Sequence, residues 1–242
     1  MSFLGEDERC RVVWVQLAGG KGLRLGGKIP KQFWRLGKRP LLLYAIETFL
    51  SLYPDNPVVV VLPLSHFQRG QRILFEAFPQ ARLYLTVGGD TRSASTEAAL
   101  GLLKELELLT PEWVIAFHDA ARPFVSKELI NRLYHEARER GAAVCGLPVS
   151  FSVRWVEGEN SRAINRERIW EVQTPQAFRG DILHSAWKKL PPTADPAFTD
   201  EGSWIEAVGF PVRLVAGEPH NLKITHPIDW ELARLWLRRR SR

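Results

Sequence analysis

The chain has few of the features that mark secreted or membrane proteins. It contains only two cysteines, Cys10 and Cys145, which are too few for a disulfide framework and lack the spacing of a metal site. A bridge between them stays open, but a reduced protein is the expectation. No apolar run approaches the length of a membrane span, and the opening "MSFLGEDERC" lacks the basic start and long apolar core of a signal peptide. These absences predict a soluble, cytoplasmic protein.

Repeats and strong charge are also lacking. No internal repeat or low-complexity tract occurs, and the net charge of +6 over 242 residues is modest. Such a charge agrees with a small anionic ligand, and more weakly with nucleic acid or a membrane surface. The sequence has no stripe of basic and aromatic residues of the kind that binds nucleic acid. The basic end "RLWLRRRSR" is either a polyanion contact or a solvated last helical turn whose arginines offset the helix dipole.

Apolar strand segments alternate with helical segments along the chain. The segments typical of strands are VVWVQL, PVVVVLP, RLYLTV, WVIAFH, AAVCGLPV, PVRLV and LKITH. Helical spacing is clearest in SKELINRLYHEARERG, where apolar residues recur every three or four positions. Nearly continuous apolar strands separated by helices predict an α/β fold: an open, mostly parallel Rossmann-like sheet with helices on both faces. We expect residues 1–242 to form one domain.

Three loops rich in glycine or charge follow predicted strands. They are LAGGKGLRLGGKIPKQF after the first strand, GGDTRSAS after the third and HDAARP after the fourth. Ligands of open parallel sheets bind beyond the carboxyl ends of the strands. We therefore expect all three loops to open onto one crevice.

The alternation of strands and helices breaks between Ser150 and Thr174. Here SVRWVEG and RIWEVQT alternate apolar and polar residues, as the strands of a half-exposed hairpin would, with the polar linker ENSRAINRE between them. The apolar face of such a hairpin, with Trp155 and Trp170, needs a cover. We predict an arm at about 150–174 that forms a homodimer. The alternative is a hairpin folded back over its own sheet.

The loop after the first strand holds five glycines, four cations and no acidic residue. Glycine lets the backbone come close to a ligand, and bare N–H groups beside Arg and Lys suit a phosphate chain. The loop is not a P-loop, because Ile29 stands where the metal-binding hydroxyl belongs, and it is not a dinucleotide fingerprint, because Leu25 takes the third glycine place. A flexible glycine turn would not explain Arg24, Lys28 and Lys31 beside the glycines.

The same loop resembles the nucleotide-binding loop of nucleotidyltransferases that activate sugar or polyol phosphates, and its ending PKQF points to the cytidylyltransferases. GGDTRSAS, HDAARPF, TPQAF, TDEGS and NLKIT follow in the order of one family, which the chain resembles nearly from end to end. That family is the 2-C-methyl-D-erythritol 4-phosphate cytidylyltransferases. The resemblance implies an open α/β fold with a dimerising arm, Mg²⁺-dependent use of CTP, and a place in non-mevalonate isoprenoid synthesis.

The resemblance also implies roles on the nucleotide side of the site. Arg24 and Lys31 match the family's transition-state stabilisers, and Asp119 matches the carboxylate nearest Mg²⁺, in contact with it directly or through water. Positions that approach or recognise the nucleotide are matched by Ala18, Gly19, Gly20, Gly89, Asp90, Ser95 and Ala120. Taken alone, GGDTRSAS is more typical of a strand-to-helix turn with capping residues, and its expected position at the crevice is what favours the nucleotide role.

On the acceptor side, the resemblance implies that Arg166 and Lys223 position the polyol phosphate. Arg166 lies on the predicted arm, so it would reach the partner subunit's site. The further positions that match acceptor contacts are Arg122, Ser152, Thr174 and Thr199. Because Arg166 is on the arm, a plain interface or solvent charge is the alternative for it.

The chain departs from the family pattern mainly on the acceptor side. Phe151 and Ser152 stand where Asp-Thr is usual, Asn165 where Asp often precedes the arginine, and the run Gly202–Trp204 where small residues follow TDE. Gly19 for Ala is a mild change on the nucleotide side. Two other functions therefore stay open: a cytidylyltransferase for another polyol phosphate such as ribitol 5-phosphate, and a non-catalytic nucleotide-binding regulator.

Overall fold

A seven-stranded sheet forms the centre of the structure, a computed structural model that describes residues 11–20 and 29–240. The strands of this sheet are β1 (Val12–Leu17), β4 (Val58–Leu62), β5 (Leu83–Val87), β6 (Val114–Asp119), β7 (Ala142–Pro148), β10 (Trp170–Arg179) and β11 (Arg213–Ala216). Their order in the sheet is β11-β7-β10-β6-β1-β4-β5. All pairings are parallel except those of β10, which runs antiparallel to both β6 and β7. The predicted open, mostly parallel sheet is confirmed.

Seven helices and two small hairpins complete the part of the chain that the structure describes. The helices are α1 (Leu43–Leu50), α2 (Phe67–Ala77), α3 (Arg92–Glu105), α4 (Lys127–Arg140), α5 (Gly180–Lys189), α6 (Glu201–Ala207) and α7 (Pro227–Arg240). The hairpins are β2 (Arg35–Leu36) with β3 (Arg39–Pro40), and β8 (Val153–Glu157) with β9 (Asn160–Ile164). Among the described residues, no helix combines the length and the apolar character that a membrane crossing requires.

Both faces of the sheet are covered, as predicted. In β1, Val12 and Trp14 join a buried cluster with residues of α1 and α4, whereas Val13 and Val15 join a second cluster with residues of α3, α5 and α6. Successive side chains of a strand point to opposite faces, so a strand that is apolar at every position needs a helical layer on each side. The unbroken VVWV pattern of β1 thus reflects two buried faces.

The three loops meet at the carboxyl ends of β1, β5 and β6, which confirms the predicted crevice. Leu17 at the end of β1 pairs in register with Asp119 at the end of β6. A Cβ built on Gly19 would lie 3.5 Å from the Cα of Gly88, the first residue after β5. The chain therefore brings glycine backbone, the start of α3 and Asp119 to one edge of the sheet.

Two predictions about the second half of the chain are wrong. SVRWVEG pairs with Asn160–Ile164, which lay in the predicted linker, and the turn between them uses Gly158 at φ +59. RIWEVQT instead begins β10, whose continuation is buried between β6 and β7. LKITH is not a strand, because its backbone makes single contacts such as Ile224 N–H to Ala121 O (2.8 Å) rather than a ladder.

The β8–β9 hairpin does not fold back over its own sheet. Trp155 and Val156 are 53% and 68% exposed, and most positions of both strands are exposed. The alternative in which this chain covers its own arm is therefore contradicted for the described residues.

Candidate active site

The nucleotide side begins with the backbone of residues 18–20, directly after β1. Ala18 is buried, and its N–H donates to Val61 O (2.9 Å). Buried Gln32 fixes the backbone of this segment, because its Nε2 donates to Ala18 O (2.6 Å) and Gly20 O (2.9 Å). Gly20 is exposed, and among the described residues a Cβ there would meet nothing within 4 Å, so these residues leave its backbone open to a ligand. Arg24 lies outside the described residues.

Glycines 19 and 88 allow two loops to touch beside Ser95. A Cβ on either glycine would lie 2.8 Å from Ser95 Oγ. The Gly19 departure thus gives space to the Ser95 hydroxyl, which donates to Thr91 O (3.0 Å). Because Ser95 is buried against these glycines, an alanine at position 19 would require the hydroxyl to move.

Helix α3 starts at the crevice. Thr91 is its N-cap and accepts from Ala94 N–H (3.0 Å), which confirms the capping half of the alternative reading of GGDTRSAS. Asp90 is exposed just before this cap, and a Cβ on Gly89 would collide with the Cβ of Ala94. The N-terminus of this 14-residue helix, which favours negative charge, therefore lies beside Gly89 and Asp90, two of the predicted nucleotide-binding residues.

Asp119 stands between two cations at the end of β6. Its Oδ2 lies 2.7 Å from Lys223 Nζ and its Oδ1 lies 3.5 Å from Arg92 Nε. Burial alone would raise the pKa of Asp119, but Arg92 and Lys223 outweigh it and hold the pKa well below its ordinary value. Asp119 is therefore a carboxylate throughout the physiological range. Ala120 beside it is buried and donates its N–H to Leu17 O (3.0 Å).

A buried hydrogen-bond chain supports Asp119 from behind. His118 Nε2 lies 2.8 Å from Arg122 O, which only accepts, so Nε2 carries the proton. His118 Nδ1 then accepts from the Thr174 hydroxyl (3.3 Å), and that oxygen accepts from Asp119 N–H (3.0 Å). Burial lowers the pKa of His118 to about 4, so the ring is neutral and structural. Thr174 is buried, and its hydroxyl holds His118 and the backbone of Asp119 in place.

The loop that carries Lys223 is held by three buried side chains. Gln173 accepts from Glu218 N–H (3.1 Å) and donates to Glu218 O (3.0 Å). Asn221 Nδ2 donates to Thr174 O (2.8 Å), and Arg122 donates to Asn221 O (2.8 Å). Burial lowers the pKa of Arg122, which nevertheless stays protonated at neutral pH. Arg122 thus helps to orient the loop that carries Lys223.

Lys31 joins the same loop from the other side of the crevice. Its Nζ donates to the carbonyl of Ile224 (2.5 Å), the residue after Lys223. Lys31 lies in the short 3₁₀ helix Lys31–Phe33, whose N-cap is Pro30. Lys31 therefore contacts the loop that carries Lys223, although almost two hundred positions separate the two residues in the sequence.

Three of the predicted acceptor residues lie at the surface. Ser152 and Thr199 are exposed, as is Arg166, which donates to Ser150 O at the base of the arm. Asn165 caps the turn before Arg166: its Oδ1 accepts from Glu167 N–H (3.0 Å) and its Nδ2 donates to Glu167 Oε2 (3.3 Å). An aspartate would repeat only the first of these bonds, so the departure at Asn165 fits its surroundings.

The Gly202–Trp204 departure has a packing explanation. Trp204 is fully buried in the core and donates its Nε1–H to Leu190 O (2.8 Å). Gly202 N–H donates to Gln176 Oε1 (2.9 Å), and a Cβ on Gly202 would lie 2.9 Å from Val144 Cγ1. This run shapes the start of α6 and its core contact. Phe151, by contrast, is 79% exposed, and nothing in the structure explains it.

No group of three or more His, Cys, Asp or Glu side chains suited to a metal occurs within residues 11–20 and 29–240. Asp119 is the carboxylate at the centre of the crevice. One carboxylate fits Mg²⁺ held mainly by the phosphates of a substrate, because this ion retains water and needs only one or two protein ligands. The residues present therefore fit a magnesium ion that arrives with a nucleotide.

Sequence reasoning missed the residues that hold the site in shape. Gln32, Gln173, Asn221 and Glu201 are all buried and polar. Their contacts lie far away in sequence, so no local pattern marks them. Only their place inside or beside the family-like motifs PKQF, TPQAF, NLKIT and TDEGS was a signal.

An open α/β sheet whose crevice brings together glycine backbone, a helix N-terminus, lysines and the carboxylate of Asp119 is typical of a nucleotidyltransferase. The family model for 2-C-methyl-D-erythritol 4-phosphate cytidylyltransferase matches residues 12–239. The enzyme of that name from Bacteroides fragilis is 35% identical over 224 residues, which cover 93% of this chain and 98% of that protein. The one from Phocaeicola vulgatus is 36% identical, over 90% of this chain and 96% of that protein.

A solved structure agrees with these relatives. The crystal structure of 2-C-methyl-D-erythritol 4-phosphate cytidylyltransferase from Thermus thermophilus superposes with a TM-score of 0.73 at 33% identity, covering 93% of this chain and 98% of that one. The chain belongs to the 2-C-methyl-D-erythritol 4-phosphate cytidylyltransferase family. The family resemblance drawn from the sequence motifs is confirmed.

Proposed function

We propose that the protein transfers CMP from CTP to 2-C-methyl-D-erythritol 4-phosphate, giving the CDP-polyol and pyrophosphate. Family membership supports this reaction. The observation that carries it is that two lysines reach one loop: the Lys31 ammonium donates to the carbonyl of Ile224, and the ammonium of Lys223, the preceding residue, pairs with Asp119. A loop that is held by one lysine and carries a second lysine paired with a carboxylate suits the joining of two phosphate-bearing substrates.

The reaction needs positioning and charge stabilisation more than it needs a side-chain base. A phosphate oxygen of the acceptor attacks the α-phosphorus of CTP, and pyrophosphate leaves. Since the attacking phosphate is already ionised at neutral pH, no side chain has to remove a proton, and neutral His118 can remain structural. Lys31, with Arg24, would stabilise the negative charge at the α-phosphoryl oxygens. Lys223 would hold the acceptor phosphate within reach.

Magnesium dependence is part of the proposal. Asp119 is the residue that would hold Mg²⁺, directly or through water. When bound, the ion neutralises part of the triphosphate charge and orients the nucleotide. The backbone of Ala18, Gly19 and Gly20 would bind the phosphates, while Gly89, Asp90 and Ser95 would bind the cytidine end.

The acceptor assay tests this function against its rivals. Purified protein is incubated with CTP, Mg²⁺ and either 2-C-methyl-D-erythritol 4-phosphate or ribitol 5-phosphate, and pyrophosphate release is measured. We expect turnover with the first acceptor. Turnover with ribitol 5-phosphate alone would replace our acceptor, and tight CTP binding without turnover on either would favour a regulator.

We further propose a homodimer formed through the arm at about 150–174, within one domain of residues 1–242. The arm carries a cluster of exposed apolar residues: Phe151, Trp155, Val156, Ile169, Trp170 and Val172. An exposed cluster of this kind favours burial against a second copy. Arg166, on the same arm, would then reach the acceptor site of the partner subunit. Ser152 and Thr199 would present hydroxyls to the acceptor. A cytoplasmic location stays a prediction from the cysteine content.

The oligomeric state checks the arm. Light scattering after size-exclusion chromatography should show a dimer for the native protein and a monomer for Trp155→Glu. Leu64→Glu is the matched control. Leu64 is also an exposed apolar residue (76%), but it lies outside the arm, in the 3₁₀ helix Leu64–His66. A native monomer, or a dimer that survives Trp155→Glu, would contradict the proposed interface.

A further inference from the structure

Four charged side chains form a line across the crevice. Glu201 begins α6, Arg92 begins α3, Asp119 ends β6, and Lys223 lies on the loop before α7. Arg92 donates from both terminal nitrogens to the two oxygens of Glu201 (2.9 and 2.7 Å). The Nε of Arg92 lies 3.5 Å from Asp119 Oδ1, and the other oxygen of Asp119 lies 2.7 Å from Lys223 Nζ. The signs alternate from one end to the other.

The buried end of this line is rigid. The Glu201 side chain is fully buried, and its Oε1 also accepts from the Thr96 hydroxyl (2.6 Å). Asp200, just before it, caps α6 through Ser203 N–H (2.8 Å) and accepts from Gln176 Nε2 (2.9 Å) on β10. Glu201 is therefore fixed to α3 and to the central sheet, and a buried carboxylate of this kind requires a cationic partner.

Arg92 is suited to link this anchor to Asp119. A guanidinium has donors on both edges of a planar fork, so it can serve one carboxylate with two nitrogens and face another with the third. Glu201 takes the two terminal nitrogens, which keeps Arg92 from forming the same close pair with Asp119. The Oδ2 atom of Asp119 is thereby left to Lys223. An ammonium in place of the guanidinium could not span both carboxylates.

We propose that Arg92, held by Glu201, is a positioning residue that acts on the acceptor phosphate through Asp119 and Lys223. Arg92 neutralises part of the negative charge of Asp119. Asp119 therefore neutralises less of the positive charge of Lys223, which stays available to attract the acceptor phosphate. Without Arg92, Asp119 pairs with Lys223 alone and draws it away from the acceptor. The inference rests on the proposed function for the identity of the acceptor, and it assigns Arg92 no contact with substrate.

The test combines Arg92→Gln with Lys223→Ala in the full-length protein. Pyrophosphate release is measured while each substrate is varied in turn. We expect Arg92→Gln to lower kcat/KM for the acceptor at least tenfold while the KM for CTP changes less than threefold. In the Lys223→Ala background, we expect the same change to have less than a twofold further effect, because coupled residues are not additive. Additive losses, or no loss in Arg92→Gln, would overturn the proposal.

Two further variants keep the result interpretable. Arg179→Gln is the matched control, since Arg179 forms a similar two-pronged pair with Asp181 (2.7 and 2.9 Å) away from the crevice; it should leave both KM values unchanged. If Arg92→Gln does not fold, Glu201→Gln is used, and the same loss of acceptor kcat/KM with the same dependence on Lys223 is expected.

The failure of the proposed function is distinguishable from failure of this inference. If the native protein turns over neither acceptor, the proposed function is lost, and the crystal structures of the native protein and Arg92→Gln decide the inference. We expect the carboxylate of Asp119 to rotate toward Lys223 in the variant. An Asp119–Lys223 geometry unchanged from the native protein would overturn the positioning role.

Discussion

Replacing Asn221 by alanine should misplace the loop that carries Lys223 and so weaken catalysis with the acceptor. Asn221 Nδ2 donates to Thr174 O (2.8 Å), and both residues are buried. Asn221 Nδ2 also donates to Gln173 Oε1 (3.4 Å), whereas Asn221 Oδ1 has no hydrogen-bond partner among the described residues. The loss therefore falls on these two donated bonds and on the oxygens that accept them. A buried group deprived of its partner costs about 1–3 kcal/mol. For a chain of this length, a loss of about 2 kcal/mol lowers the melting temperature by about 4–8 °C.

The larger effect of Asn221→Ala is expected on activity. Lys223 lies two residues further along the same loop, and a misplacement of about 1 Å can cost on the order of a hundredfold in rate. We expect kcat/KM for the acceptor to fall about 10–100-fold and the KM for CTP to stay nearly constant. Steady-state measurements of pyrophosphate release, at a temperature where the variant is folded, check both values.

Asn131→Ala is the control for the Asn221 prediction. Asn131, on α4, accepts from the Tyr53 hydroxyl (2.7 Å), so its loss also removes a side-chain hydrogen bond. It should affect thermal stability without changing the acceptor kinetics. If Asn221→Ala lowers the melting temperature but leaves acceptor kcat/KM as in the control, the reasoning that Asn221 places Lys223 is refuted.

Two further predictions follow from buried groups at the crevice. Gln32→Leu removes the donor shared by Ala18 O and Gly20 O, so the KM for CTP should rise about tenfold while that for the acceptor changes little; equal rises would speak against a nucleotide-side role. The pKa of His118 lies at about 4 against 6.5 for a free histidine. Between those values the unfolded chain binds a proton that the folded chain excludes, so stability falls as the pH drops from 6.5 to 4, by up to about 3 kcal/mol. Urea unfolding at pH 7 and pH 5 should show a smaller loss in His118→Gln, and equal losses would exclude His118 as the source.

The arm shows where a pattern in the sequence misleads. Asn160–Ile164 reads as a polar linker because both faces of β9 are exposed, so no apolar alternation marks it as a strand. RIWEVQT has the alternation, but its apolar residues reflect the start of a strand that continues into the core. Alternation reports burial on one side, and it does not identify the partner strand.

Charged and polar residues show the second limit. Asp119 stood out because HDAARP follows an apolar strand, but its pairing with Arg92 and Lys223 joins residues from three distant parts of the chain. Glu201 is separated from Arg92 by 109 positions. A glutamate at the start of a short helix usually faces solvent, and only the burial of Glu201 makes its pairing with Arg92 obligatory.

The sequence by itself determined the layered α/β fold, the crevice at the strand ends and the family. These depend on apolar periodicity and on glycine and lysine positions within short segments, which local geometry imposes. Only the tertiary structure decided that Gln32 closes the nucleotide loop, that Asn221 and Gln173 hold the lysine-bearing loop, and that Arg92 links a buried glutamate to Asp119. The reason is that hydrogen bonds and ion pairs depend on distance and burial in three dimensions. The positions of two residues in the sequence do not reveal either quantity.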